Sequence, residues 1–113
     1  MHEYSIVQAL LSRVEAEARE RNATAVRRLD VSIGELAGIE PELLASAYEF
    51  YRERTLCGAA DMVITRVPAR WVCSTCGTDI ARGAVLTCPA CGAPGRLERG
   101  GEIMLERIEL EVP

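Results

Sequence analysis

No lysine occurs among the 113 residues; all 13 basic side chains are arginine. That excludes chemistry built on a lysine, such as a Schiff base or the lysine of a phosphate-binding loop. Histidine is nearly as scarce. The single imidazole, His2, stands at the N-terminus, which leaves no natural place for a histidine-based triad. Aromatic residues make up 4%, so a core has to be mostly aliphatic. No apolar run approaches the roughly 20 residues of a membrane span, and no membrane partner is expected. The opening Met1-His2-Glu3-Tyr4-Ser5 has no basic stretch leading into an apolar one, so no secretory signal is expected either. A reducing cytoplasm is the expected location, where clustered cysteines read as metal ligands and not as disulfides. The length excludes a large barrel or a doubly wound dinucleotide fold, each of which needs about 200 residues or more.

What is present is a folding composition, 49% hydrophobic and 27% charged, with a net charge of −4. The acidic total argues against a nucleic-acid-binding protein, which carries a basic excess. Residues 3–21 place Ile6, Val7, Leu10, Leu11, Val14 and Ala18 at helical spacing, and Asn22 is a natural stop. Residues 25–34 alternate, with Leu29, Val31 and Ile33 opposite Arg28, Asp30 and Ser32, as in a half-buried strand. Pro41 suits the start of a second helix running to about Arg54, with Leu43, Leu44, Ala47 and Phe50 or Tyr51 expected to face inward. Two further strands are expected over 61–68 and 103–112. The expected fold class is α+β, a three-stranded sheet with two helices on one face.

Between the last two strands the composition changes. Residues 73–101 hold few large aliphatic side chains but six glycines, and residues 66–100 carry five arginines against two acids. Such an insert needs a source of stability other than its own core. Cys73-Ser-Thr-Cys76-Gly and, after eleven residues, Cys88-Pro-Ala-Cys91-Gly provide one. Two C-x-x-C pairs place four thiolates at tetrahedral corners, the arrangement of a closed structural Zn(II) site. A redox C-x-x-C uses one pair at a helix start and not two knuckles. A zinc hydrolase needs an open coordination position, which four thiolates do not leave. The fifth cysteine, Cys57, reads as a small buried apolar residue.

His2 has two readings. One is a frayed terminus with an incidental imidazole. The other is a chelate in which the Met1 amine, the His2 amide and the His2 imidazole, with the Glu3 amide as a fourth donor, favour Ni(II) or Cu(II). The residues alone leave both standing.

In combination, the Met-His-Glu start, Val14-Glu-Ala-Glu-Ala18, the stretch Val31–Leu43, Thr55-Leu-Cys-Gly-Ala59, the two knuckles and Gly100-Gly-Glu-Ile-Met104 resemble the HypA family of hydrogenase nickel-incorporation proteins. The eleven residues between the knuckles are slightly short for that family, which implies a trimmed ribbon loop. The resemblance implies a metallochaperone, not an enzyme, that delivers nickel to [NiFe]-hydrogenase and in some organisms to urease. It implies Ni(II) at Met1, His2 and Glu3, and Zn(II) at Cys73, Cys76, Cys88 and Cys91. Glu40 falls near a family acidic position that serves metal or partner contact, although a solvated carboxylate at a helix start also accounts for it. The GTP-hydrolysing factor HypB and the hydrogenase large subunit are the implied partners. The division that follows is a nickel-binding domain over 1–70 and 101–113 with a zinc ribbon over 71–100. An open strand edge permits a homodimer without any residue demanding one. The competing reading is a nucleic-acid-binding zinc ribbon, favoured by the basic insert and by Trp71 and opposed by the acidic helices.

Overall fold

The computed structural model describes residues 2–81 and 86–113, without the side chain of His2. Met1 and part of the loop between the knuckles, 82–85, lie outside the described residues.

Helix α1 (His2–Glu20) forms because Val7, Leu11, Val14 and Ala18 recur on one side, and all four are buried. It stops where Asn22 adopts a left-handed conformation (φ 55°) and the Ala23 N–H returns to the Ala18 carbonyl at 2.9 Å. Strand β1 (Ala25–Gly34) follows, then helix α2 (Pro41–Tyr51), a 3-10 turn (Arg52–Arg54) and strand β2 (Asp61–Val67). The insert contributes β3 (Arg70–Cys73), β4 (Asp79–Ile80) and β5 (Gly95–Arg99), and the chain ends in β6 (Ile103–Glu111). In the larger sheet β1 is central, in the order β2-β1-β6. It runs parallel to β2 from Arg28↔Asp61 to Gly34↔Val67, and α2 supplies the crossover that parallel neighbours require. Its pairing with β6 is antiparallel, with register shifts after Val26 and Asp30. Leu29, Val31 and Ile33 join Val7, Leu11 and Val14 of α1 and Leu44, Ala47 and Tyr48 of α2 in one core. Both helices therefore cover one face, as expected. Arg28 and Asp30 occupy the other face, joined by a 2.6 Å hydrogen bond.

Two expectations need correction. Leu43 does not face inward but is 55% exposed, while of Phe50 and Tyr51 it is the tyrosine that takes the inward place, Phe50 being 70% exposed. The buried residues of α2 are Leu44, Ala47 and Tyr48, with Tyr51 half-buried. This i, i+3, i+4, i+7 stripe lies about 100° around the helix from Leu43 and Phe50. Tyr48 can be buried because its hydroxyl donates to the Ala60 carbonyl at 2.8 Å. Val112, at the end of the strand expected over 103–112, lies beyond β6 and is exposed. The insert carries its own small sheet in the order β4-β3-β5, with most of its residues outside the strands. Arg70 holds that sheet laterally, contacting Asp79 at 2.8 Å and Glu98 at 3.0 Å.

The two sheets make a long molecule, 56 × 28 × 17 Å, with a radius of gyration of 17.9 Å. A compact chain of this length would have about 13 Å. The chain crosses between the sheets twice, at Pro68-Ala69 and at Gly100-Gly101, and the segment after β1 pins both crossings. The Gly34 N–H donates to the Glu102 carbonyl (2.9 Å), that of Glu35 to Val67 (2.8 Å) and that of Leu36 to Gly100 (2.7 Å). The Glu35 carboxylate accepts the Ala69 N–H at 2.8 Å. A Cβ on Gly34 would stand 2.3 Å from the Gly100 carbonyl carbon, so the backbones approach as closely as they do only because no side chain intervenes. Gly34→Ala should therefore destabilise the zinc-loaded protein by about 1–3 kcal/mol, the usual cost of overpacking. Thermal unfolding would measure it, and an unchanged midpoint would contradict this account of the neck.

The turn after α2 is organised around Cys57, which is fully buried as expected. Its N–H donates to Thr55 Oγ1 at 3.1 Å, and Arg52 joins Tyr48 in donating to the Ala60 carbonyl, at 2.6 Å. Burial raises the pKa of both the Cys57 thiol and the Tyr48 phenol. Both groups ionise more readily in the unfolded chain. Their contribution to stability is therefore complete below about pH 8.5 and is lost as pH rises through the native values. Cys57→Ala should flatten the alkaline fall in stability by up to about 1.4 kcal/mol per pH unit. Denaturant titrations of both zinc-loaded proteins at pH 8, 9 and 10 would read this, since the ribbon thiols contribute equally to each. Parallel curves would refute it.

Candidate metal centres

The two knuckles repeat one backbone pattern. In the first, the Gly77 N–H donates to the Cys73 carbonyl (3.1 Å) while the Cys73 N–H donates to the Thr78 carbonyl (2.8 Å). In the second, Gly92 donates to Cys88 (2.8 Å) and Cys88 to Ala93 (2.8 Å). Gly77 and Gly92 both adopt positive φ, 74° and 75°, which turns the chain back one residue after each second cysteine. Strand β3 delivers Cys73, and β5 begins shortly after the second knuckle, so the small sheet brings two segments distant in sequence to one point.

At that point the Sγ atoms of Cys73, Cys76, Cys88 and Cys91 all lie within 4.8 Å of one another. Cys73 and Cys91 approach to 3.4 Å, and Cys76 and Cys88 to 3.7 Å. Four sulfurs about 2.3 Å from a central Zn(II) would be about 3.8 Å apart, so the donor set fits a tetrahedral thiolate site. The N–H groups of Cys76 (3.3 Å) and Thr75 (3.4 Å) point at Cys73 Sγ and lower its pKa to about 6. Cys76 is also lowered, chiefly through its hydrogen bonds with Thr78, whose hydroxyl lies 3.1 Å from the sulfur. The Ala93 N–H favours the Cys91 thiolate, yet the sulfurs of Cys73 and Cys88 push Cys91 up to about 11. Four adjacent thiolates need a cation between them, and the backbone prepares the first to ionise. Thr78 was not singled out from the sequence; its only local sign is its place directly after the knuckle glycine.

At the other end of the molecule, Glu3 stands in the first turn of α1 and is 8% exposed. Its carboxylate accepts the Glu40 N–H at 3.2 Å, joining the start of α1 to the start of α2. Its own N–H and that of Glu40 lower its pKa. Glu40 caps α2 in an extended conformation (φ −84°, ψ 116°) without a side-chain capping bond, and its exposed side chain points to solvent. The structure thus brings Glu3 and Glu40 together through a backbone contact. Met1 and the His2 side chain lie outside the described residues. The backbone of His2 opens α1, where the first amide N–H groups of a helix have no intrahelical acceptor. Among the described residues, no helix is long and apolar enough to cross a membrane.

Comparison with known proteins places this geometry. A family model described as "Hydrogenase/urease nickel incorporation, metallochaperone, hypA" matches residues 1–110. The hydrogenase maturation factor HypA of Aquifex aeolicus is 38% identical over 114 residues, covering 99% of each chain. Its counterpart in Wolinella succinogenes is 38% identical, covering 98% of this chain and 96% of that protein. The solution structure of the Ni metallochaperone HypA from Helicobacter pylori superposes with a TM-score of 0.74 at 28% identity, covering 98% of each chain. A second HypA solution structure gives 0.82 at 28% identity, covering 100% of this chain and 98% of the other.

Proposed function

Because the chain belongs to the HypA family of nickel metallochaperones that serve hydrogenase maturation, we propose that it binds Ni(II) at its first residues and delivers it to [NiFe]-hydrogenase. The observation that carries this reading is the match over 1–110, which takes in both the Met1-His2-Glu3 start and the four-cysteine centre. Met1, His2 and Glu3 supply nitrogen donors for nickel, and Cys73, Cys76, Cys88 and Cys91 hold Zn(II) as a structural ion. The Glu3 carboxylate is engaged with Glu40, so its backbone nitrogen is the donor it offers, and Glu40 assists by holding that turn in place. The protein works as a carrier and catalyses no covalent step.

Residues 1–70 and 101–113 form the nickel-binding unit, and 71–100 form the ribbon. HypB and the hydrogenase large subunit are its partners, in the cytoplasm, and urease is a second recipient where that enzyme is present. β2 and β6 are the edge strands of the larger sheet, and an edge strand permits pairing with a second copy of the chain.

A strain lacking the gene should lose hydrogenase activity under limiting nickel. Wild type should restore it, and His2→Ala should restore less than a tenth. Full complementation by His2→Ala in limiting nickel would overturn the reading.

A further inference from the structure

The two knuckles repeat one backbone turn but differ in how they hold their sulfurs. Cys73, Cys76, Gly77 and Thr78 of the first stand where Cys88, Cys91, Gly92 and Ala93 stand in the second. In each, the first cysteine is buried and the second exposed. The first knuckle surrounds its sulfurs with donors. The N–H groups of Thr75 and Cys76 point at Cys73 Sγ, at 3.4 and 3.3 Å, and the Thr78 hydroxyl lies 3.1 Å from Cys76 Sγ. A sulfur ionised as a metal ligand can only accept, so that hydroxyl donates. In the second knuckle, among the described residues, no N–H makes the corresponding bond to Cys88 Sγ, whose contact is with the Cys76 sulfur. Cys76 and Cys91 each accept the N–H two residues on, from Thr78 and Ala93, but Ala93 has no hydroxyl to add. A donor on a metal-bound thiolate draws charge from the sulfur and lowers its nucleophilicity. Cys91 therefore combines access with a sulfur that carries no hydroxyl donor. Cys76 has the access without the reactivity, and burial shields Cys73 and Cys88.

We propose that Cys91 Sγ is the reactive thiolate of the four-cysteine centre, a modification site for soft carbon electrophiles of the α,β-unsaturated carbonyl class. The sulfur adds to the β-carbon, and the electron pair of the carbon–carbon double bond passes to the carbonyl oxygen as an enolate. A proton from water then completes the adduct at the α-carbon and leaves hydroxide. The thioether so formed is neutral and a poor ligand, so the ion keeps three thiolates and is released. The ribbon then loses the ion that folds it. The inference rests on Zn(II) at these four sulfurs and goes beyond nickel delivery: the second knuckle is where the centre opens.

Zinc content should be measured first on wild type, Thr78→Val and Ala93→Thr. Each zinc-loaded protein is then treated with substoichiometric N-ethylmaleimide, quenched at intervals with excess thiol, and the labelled cysteines are mapped by peptide mass spectrometry. In wild type, Cys91 should react about fivefold faster than Cys76, the factor that one hydrogen bond supplies. Thr78→Val should raise the Cys76 rate to that of Cys91, and Ala93→Thr should lower the Cys91 rate towards that of Cys76. Zinc released to a chromogenic dye should keep pace with the Cys91 adduct. Equal rates at the two cysteines in zinc-loaded wild type, or faster labelling of Cys76, would overturn the proposal. So would a Cys76 rate that Thr78→Val leaves unmoved. The wild-type order and Thr78→Val decide the matter even where Ala93→Thr retains no zinc. A wild type that takes up no zinc would instead count against the metal reading on which the inference rests.

Discussion

Cys88→Ser should abolish zinc binding and unfold the ribbon while leaving the larger sheet and its two helices intact. Among the described residues of the insert, the buried apolar side chains are Val72, Cys73, Ile80 and Cys88, and two of these belong to the four-cysteine cluster. Its strands are four, two and five residues long. That is too little apolar surface to offset the entropy of ordering some 30 residues. Zinc binding to small thiolate sites contributes about 10–16 kcal/mol in apparent terms, and that energy is what folds such modules. The α/β core draws its stability from a separate set of residues in α1, α2 and the larger sheet. Zinc content should therefore fall to background. In an amide correlation spectrum the signals of 70–100 should collapse towards random-coil positions while those of α1 and β1 stay dispersed. Retained dispersion of ribbon signals in the metal-free variant would show that packing alone suffices.

Placing residues ahead of Met1, or substituting His2→Ala, should weaken nickel binding at least a hundredfold and leave zinc untouched. The reason lies in the start of α1. A helix N-terminus carries a partial positive charge and repels a bare cation. Ni(II) becomes favourable there only when the amides it binds give up their protons, so that the deprotonated nitrogens offset both the ion and the dipole. A first helical turn leaves the His2 and Glu3 amides outside its hydrogen-bond ladder, and the Glu3 amide would give up only its bond to its own carboxylate. An extension converts the terminal amine into a peptide nitrogen and removes one donor; His2→Ala removes the imidazole. Because protons are displaced, affinity should also fall as pH is lowered. Absorbance titration with nickel on proteins with native and extended starts would measure both effects. Equal affinities would place the nickel site elsewhere.

The sequence made some of this visible and concealed the rest for identifiable reasons. The strand over 25–34 shows plainly because Leu29, Val31 and Ile33 alternate with polar residues and have one covered face. The cysteine centre is equally legible, since each knuckle is specified within five residues. Helix α2 misleads because apolar residues lie on two of its sides. The burial of Tyr48 depends on its hydroxyl finding the Ala60 carbonyl twelve positions on, a contact that no spacing in the sequence records. The ribbon strands are too short to display a period and exist through pairing, as in Trp71↔Leu97. The tie between Glu3 and Glu40 spans 37 positions and uses a backbone donor, which no side-chain pattern records.

The neck has one further consequence. Val67 and Ile103, where the chain leaves and re-enters the larger sheet, flank the end of β1 on either side, paired with Gly34 and Ile33. Two strand spacings separate them, about 10 Å, a gap that three or four extended residues can bridge. The ribbon is in this sense a cassette. Replacing 68–102 by a loop of that length would leave the parent sheet every strand it has. A lineage could gain or lose such a unit in one genetic step without refolding the rest.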